Sequence, residues 1–342
     1  MTSVDAAYPW PAGSATGVGS LPGTDVREAT RLVLGELPDL PHLPELPARG
    51  PGADLVGRAA ALLVDLHVDL QPAGWRLVDK PGRDERRARS YLEQDLDALE
   101  EAAEGYAGPL KVQVAGPWTL AATLEVQRGD KVLGDAGATR DLAASLAEGI
   151  GGHVAAVRRR VPGAEVVLQL DEPSLPTVLA GAVRTASGYG TFRTVEEVRA
   201  QDTLRRVVET AGVPVIAHCC APGAPVTLFR RAGAAAVSID LALHTSGADE
   251  RVGELVDAGL GLLLGVVPST GDDLARLSEP SVTVGPVRRL WRRLGFPAEQ
   301  LPSVVVPTPA CGLAAATPAY ARAALRACRE AGRRLAEDPE GS

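Results

Sequence analysis

Apolar residues along the chain gather in short runs, and between the runs lie longer stretches in which apolar positions recur every three or four residues. The runs are 16–20, 40–46, 111–115, 166–171, 213–218, 236–240, 262–267 and 304–308. Short apolar runs bounded by Gly and Pro read as strands, and the 3.6-residue periodicity between them reads as helices. The clearest helical stretches are 25–37, 53–69, 92–104, 140–160, 195–211 and 318–335. Strands alternating with helices build a parallel sheet, and eight such units close into a (β/α)8 TIM barrel. The pattern therefore predicts an α/β chain with a single (β/α)8 barrel spanning 1–342. Short flexible termini are expected at about 1–14 and 338–342. Two longer excursions, 71–89 and 175–194, are too ordered in composition for linkers and are expected to shape the mouth of a pocket.

Side chains at the C-terminal strand ends of such a barrel converge on one face. Most of the expected strands finish in polar residues: Ser20 follows the first, Glu45 sits in the second, Asp171 ends the fourth, and Trp118-Thr119 follow the third, where Trp118 is a candidate wall of the pocket. Taken singly, Ser20 and Thr119 read as helix caps, Glu45 as a partner for an Arg, and Asp171 as a turn residue. Their convergence on one face favours a site. The same face receives His218 and Cys220, two residues apart and so on one side of an extended chain, with Cys219 pointing the other way. Asp240 ends the next strand and Cys311 follows the last. Imidazole, thiolate and carboxylate are the ligands of Zn2+, so His218, Cys220, Asp240 and Cys311 form a candidate zinc set. On spacing alone two readings stay open: a zinc site, or buried apolar cysteines beside an Asp that caps a helix.

Composition narrows the setting. The 342 residues are 45% hydrophobic, enough for a large core. Four cysteines, two of them adjacent, do not make a disulfide framework, which points to a reducing, cytoplasmic compartment. No apolar run approaches membrane-spanning length, and the first residues lack the charged start and apolar stretch of an export signal, so neither a membrane nor a secretory route is expected. A formal charge of -8 argues against nucleic acid as a partner. Basic runs such as 83–89 and 158–160 read as solvated helix faces.

Four motifs in order along the chain carry a resemblance: Val18-Gly19-Ser20-Leu21-Pro22, Gln169-Leu170-Asp171-Glu172-Pro173-Ser174, His218-Cys219-Cys220, and Thr308-Pro309-Ala310-Cys311-Gly312-Leu313. From about Ala15 to about Arg334 the chain resembles the C-terminal catalytic barrel of cobalamin-independent methionine synthase. That barrel's superfamily also holds uroporphyrinogen decarboxylase and the corrinoid and coenzyme M methyltransferases. The resemblance implies a zinc-dependent methyltransferase that methylates the thiol of homocysteine to form methionine. It places zinc on His218, Cys220 and Cys311, with Asp240 where the family has a Glu. It places Ser20 at the homocysteine carboxylate and Glu45 and Asp171 at its ammonium.

The methyl donor is methyl-folate or a methylated corrinoid or corrinoid protein, and two departures bear on which. The full-length family carries a further N-terminal barrel that helps hold polyglutamyl folate, whereas these residues suffice for one. The family's Asp-x-His after strand 7, which helps protonate the folate leaving nitrogen, is replaced by Gly265-Val266-Val267-Pro268-Ser269-Thr270. His244 is a conceivable substitute, although a lone loop His is more often a surface residue. Both departures favour a corrinoid donor. Three other readings compete: transfer to a different thiol from a corrinoid, a uroporphyrinogen decarboxylase, and a zinc-binding or thiol-binding barrel without turnover. The decarboxylase would need basic residues for many carboxylates and no His-Cys-Cys set.

Overall fold

A computed structural model describes residues 8–341, so the first seven residues of the expected flexible N-terminus, and Ser342 at the other end, lie outside the described residues. Two strands form an antiparallel hairpin, β1 (His67–Gln71) and β2 (Gly74–Val78), and six form one parallel sheet in sequence order. These are β3 (Gly108–Ala115), β4 (Ala164–Asp171), β5 (Val215–Cys219), β6 (Ala236–Asp240), β7 (Gly261–Val267) and β8 (Val305–Pro309). Six of the eight expected runs are thus regular strands.

The first two runs occupy the gap between β8 and β3 as extended chain tied by isolated bridges, Ser20 to Glu45 and His42 to Lys111. The Thr16 amide donates to the Pro307 carbonyl (3.3 Å), the Glu45 amide to Gly19 (3.1 Å), and the Lys111 amide to Pro41 (2.9 Å). The ring therefore closes, with these two staves irregular. Pro41, Pro44 and Pro47 have no N–H to give to a ladder. Gly17 and Gly19 are needed for close approach: a Cβ on Gly17 would collide with the His42 ring, and one on Gly19 would sit 2.9 Å from Gln113 Cγ.

Around the sheet run α1 (Val26–Glu36), α2 (Leu55–Ala61), α3 (Arg83–Ala102), α4 (Pro117–Thr123), α5 (Ala136–Arg160), α6 (Leu175–Leu179), α7 (Glu197–Ala211), α8 (Val226–Arg231), α9 (Asp249–Asp257), α10 (Pro280–Thr283), α11 (Gly285–Leu294), α12 (Leu301–Val304) and α13 (Pro318–Glu337). Caps fix several starts: the side chains of Asp25, Asp54, Asp135 and Thr317 each accept from backbone amides in the first turn. Two expectations need correction. The helix expected over 53–69 stops at Ala61, and 67–71 is instead β1. The helix expected from Leu92 begins at Arg83, within the excursion 71–89, whose other part is β2. The hairpin bonds to the loop after α4, where the Leu77 amide donates to the Glu125 carbonyl (2.8 Å). The excursion 175–194 holds α6 and a single bridge, Arg184 to Thr191, with Tyr189 exposed at its tip.

Inward-facing side chains change character along the barrel axis. The floor is apolar: Trp10, Leu40, Val167, Ile216, Ala236, Leu263 and Val306 form one buried cluster. Trp10 lies in the segment expected to be flexible, yet it is buried, stacks on Tyr8 with ring centroids 5.8 Å apart, and donates its indole N–H to Ser303 (3.2 Å). Trp10→Ala should therefore cost about 3–5 kcal/mol, the usual range for deleting a buried aromatic. Urea denaturation checks this, and a loss below about 1 kcal/mol would show that Trp10 is not needed to close the floor. At the other end, Arg288 bonds to the Asp338 carbonyl and Arg292 to that of Glu340 (2.8 Å), so the residues after α13 are held against α11. No helix among the described residues is long and apolar enough to cross a membrane.

Candidate metal and substrate site

Above the floor the barrel interior turns polar. Strand register sets the neighbours: Ala115 pairs with Asp171, Asp171 with His218, and His218 with Ser238. The last pairing brings His218 Nδ1 to 2.8 Å from Ser238 Oγ. That contact orients the ring and leaves Nε2 buried with no hydrogen-bond partner. A buried imidazole nitrogen without a partner costs free energy unless something else occupies it. Cys220 and Cys311 stand beside it, with their sulfurs 3.1 Å apart, far beyond a disulfide bond. The ligand atoms of His218, Cys220 and Cys311 all lie within 4.8 Å of one another. One nitrogen and two sulfurs at that spacing, with an unpartnered imidazole nitrogen among them, fit zinc. The hydrogen bond from Cys220, together with His218, draws the Cys311 thiol well below the usual thiol range.

Cys311 is held in place by glycine. A Cβ on Gly312 would run into Ser20 Oγ, and the Leu313 amide donates to the Ser20 carbonyl (2.8 Å). The Cys-Gly-Leu motif therefore brings a thiol and a hydroxyl into one corner. Gly265 does similar work across the mouth, since a Cβ there would lie 2.6 Å from Ala310 Cα and 3.2 Å from Asp240 Cα.

Asp240 is at the end of β6, half-buried, but its ligand atoms are not part of the close trio. Its Oδ1 instead accepts from the Ala242 amide (2.9 Å), capping a short turn. Burial raises its pKa, with Cys311 adding to the rise and His218 opposing it. Cys219 turns away from the site into the core, as the alternation requires, and Cys328 is buried in α13.

Glu45 and Asp171 are both buried below the mouth. Glu45 Oε1 accepts from Gln113 Nε2 (3.2 Å) and pairs with Arg58 Nε (3.4 Å). Arg58 in turn pairs with Asp95, which Arg49 also meets at 2.6 Å, so Glu45 anchors a buried chain of charges. Burial outweighs the attraction of Arg58 and pushes the Glu45 carboxyl up to about 7. Asp171 is likewise raised by burial, against the pull of His218, Lys111 and Gln169. Glu172, next in sequence, has a different task. It accepts from the Trp118 amide (2.9 Å) and from the Thr119 amide and hydroxyl (2.7 Å each), and so fixes the start of α4. Trp118 is not a pocket wall: it is fully buried and donates its indole N–H to the Ala200 carbonyl (3.1 Å). Sequence reading also missed Lys111, Gln113 and Arg58, which only pairing across distant segments brings to the acids.

The chain matches the family described as cobalamin-independent synthase, catalytic domain, over residues 13–334. The chain belongs to that family. Among solved structures, the chain is similar to a B12-independent methionine synthase from Shewanella sp. W3-18-1 in complex with selenomethionine, at 13% identity and a TM-score of 0.60. The match covers 96% of this chain and 99% of that one, and at such identity it speaks for the barrel fold. A GH5_18 protein from Streptomyces cattleya in complex with Manb1-4GlcNAc follows at 15% identity and a TM-score of 0.45, covering 95% and 81%. No curated protein matches the chain. Membership in the cobalamin-independent synthase family makes this a methionine synthase-type methyltransferase barrel. A cavity of about 260 Å³ opens where β6 ends, lined by Asp240, Ile239, His244 and Arg251 among others, and none of the His218, Cys220 and Cys311 trio lines it. His244 is no free surface residue: its Nε2 is 2.6 Å from Asp249 Oδ1, and Arg293 Nε grips the same carboxylate at 2.7 Å.

Proposed function

We propose that this barrel methylates the thiol of homocysteine to give methionine, with zinc held by His218, Cys220 and Cys311 and with a methylated corrinoid as the preferred donor. The observation that carries the reading is the buried, unpartnered Nε2 of His218 facing two adjacent thiols. Bound there, zinc supplies a Lewis acid that keeps a thiol deprotonated at neutral pH. Asp240 takes the family's carboxylate position and is free to serve as a fourth ligand when its hydrogen bond to Ala242 is released.

The remaining work falls to this chain's own groups. The Ser20 hydroxyl donates a hydrogen bond to the substrate carboxylate. Glu45 and Asp171 accept from the ammonium, and in a poorly screened cavity such charge-assisted bonds are strong. Holding both ends of the amino acid aims the sulfur along one line, and alignment rather than acid or base strength is what a methyl displacement needs. The sulfur–methyl bond forms as the donor–methyl bond breaks, the bonding pair leaves with the donor, and the thiol proton goes to solvent. The selenomethionine complex of the Shewanella protein supports the choice of substrate, because that ligand is the selenium analogue of the product. Thiolate ligands also suit a cytoplasmic, reducing setting.

Asp171→Asn tests the amino-acid half of the reading. Calorimetric titration of the zinc-loaded chain should show homocysteine binding weakened by roughly tenfold or more, with zinc content unchanged. Equal binding by variant and wild type would remove Asp171 from the pocket.

A further inference from the structure

Lys111 is fully buried, standing beside Val167 of the apolar floor in strand register. An ammonium there is costly, and its partners carry no full charge: Nζ donates to the Val18 carbonyl (3.0 Å) and to Gln113 Oε1 (3.3 Å). Both contacts lead on to the acids. Gln113 presents its oxygen to Lys111 and so turns its Nε2 toward Glu45 (3.2 Å) and the Leu43 carbonyl (2.6 Å). Val18, whose carbonyl also accepts from Gln169 Nε2 (2.9 Å), links the second arm, because the same nitrogen donates to Asp171 Oδ1 (2.7 Å). An amide has one accepting end and one donating end. The ammonium therefore dictates that Gln113 shows its N–H to Glu45, while the Val18 carbonyl, shared with Lys111, holds the Gln169 N–H beside Asp171.

We propose that Lys111 is a positioning residue for amino-group recognition: its ammonium orients Gln113, so that Glu45 faces the substrate ammonium as a fixed acceptor alongside Asp171, which Gln169 holds from the Val18 carbonyl that Lys111 also engages. The inference rests on the reading of those two acids as the amino-acid pocket. Other charged or titratable groups around the assembly are His42 beside Lys111, Arg58 at Glu45, and His218 and Cys311 near Asp171. None of these replaces Lys111 at the junction of the arms. Burial lowers the Lys111 pKa to about 8, against the pull of Asp171 and Glu45, so it is mostly charged at neutral pH.

The test compares homocysteine with 4-mercaptobutyrate, which keeps the thiol and carboxylate and lacks the amino group. Calorimetry on zinc-loaded full chain is expected to show Lys111→Met losing about 30-fold in homocysteine affinity while 4-mercaptobutyrate changes less than about threefold, since hydrogen bonds to charged groups contribute at that scale. Gln113→Leu, which cuts only the arm to Glu45, should lose roughly fivefold with the same selectivity, and it carries the test if Lys111→Met does not fold. A variant that weakens both ligands equally, or neither, overturns the proposal. A wild type that does not prefer homocysteine would instead bring down the amino-acid pocket itself, and the role of Lys111 with it.

Discussion

Cys311→Ala should keep its fold, lose its zinc, and form methionine roughly a thousandfold more slowly or not at all. The Cys311 thiol is part of the close trio, and a site reduced to one imidazole and one thiol no longer closes around the metal. The fold should survive because the residue is exposed and its loop is tied independently: the Ala310 amide donates to Val267 (2.7 Å) and the Leu313 amide to Ser20 (2.8 Å). Cys219→Ala should retain zinc, since that thiol points into the core. Mass-spectrometric metal analysis distinguishes the two variants, and full zinc occupancy in Cys311→Ala would contradict the assignment.

A large effect is also expected from the choice of donor. Methylcobalamin, or a methylated corrinoid protein, should support methionine formation at least about a hundredfold faster than mono- or triglutamyl methyltetrahydrofolate, the scale on which general acids act. A folate nitrogen leaves poorly unless protonated, and the five histidines leave little to protonate it. His42 and His153 are buried, His67 pairs with Glu85, and His218 belongs to the proposed zinc trio. His244 has its Nε2 taken by Asp249. After β7 the first acids are Asp272 and Asp273, and Asp273 caps the turn that follows through the amides of Ala275 and Arg276 (3.1 Å each). Corrinoid departure makes no such demand. Parallel assays with both donors decide the matter, and efficient turnover with triglutamyl folate alone would refute the donor while leaving the metal site intact.

The parallel strands and the candidate site were legible in the sequence for the same reason: a strand that is apolar until its last residue and then polar announces both a buried element and the end that faces the mouth. His218, Cys220, Asp171 and Cys311 all sit where that rule puts them. The rule fails where both periodicities fit. The segment 53–69 continues its apolar pattern past Ala61, so β1 looked like the tail of a helix. The first turns of α3 are so charged that only Glu85 and Ala88 reach the core, and Glu85 does so by binding the His67 ring and the Val68 amide. Lys111 was invisible as a functional residue because its meaning depends on Val18, Gln113 and Gln169, which only closure of the barrel brings together. Asp240 stands at the end of β6 as expected, with its Oδ1 accepting from the Ala242 amide.

Zinc-edge X-ray absorption of the loaded protein, recorded with and without homocysteine, tests the central claim most directly. Two sulfur neighbours from Cys220 and Cys311 are expected for the zinc in the free protein, and three when homocysteine is present, with a proton released to the buffer. A sulfur count that stays at two would show that the thiol is not activated at this metal.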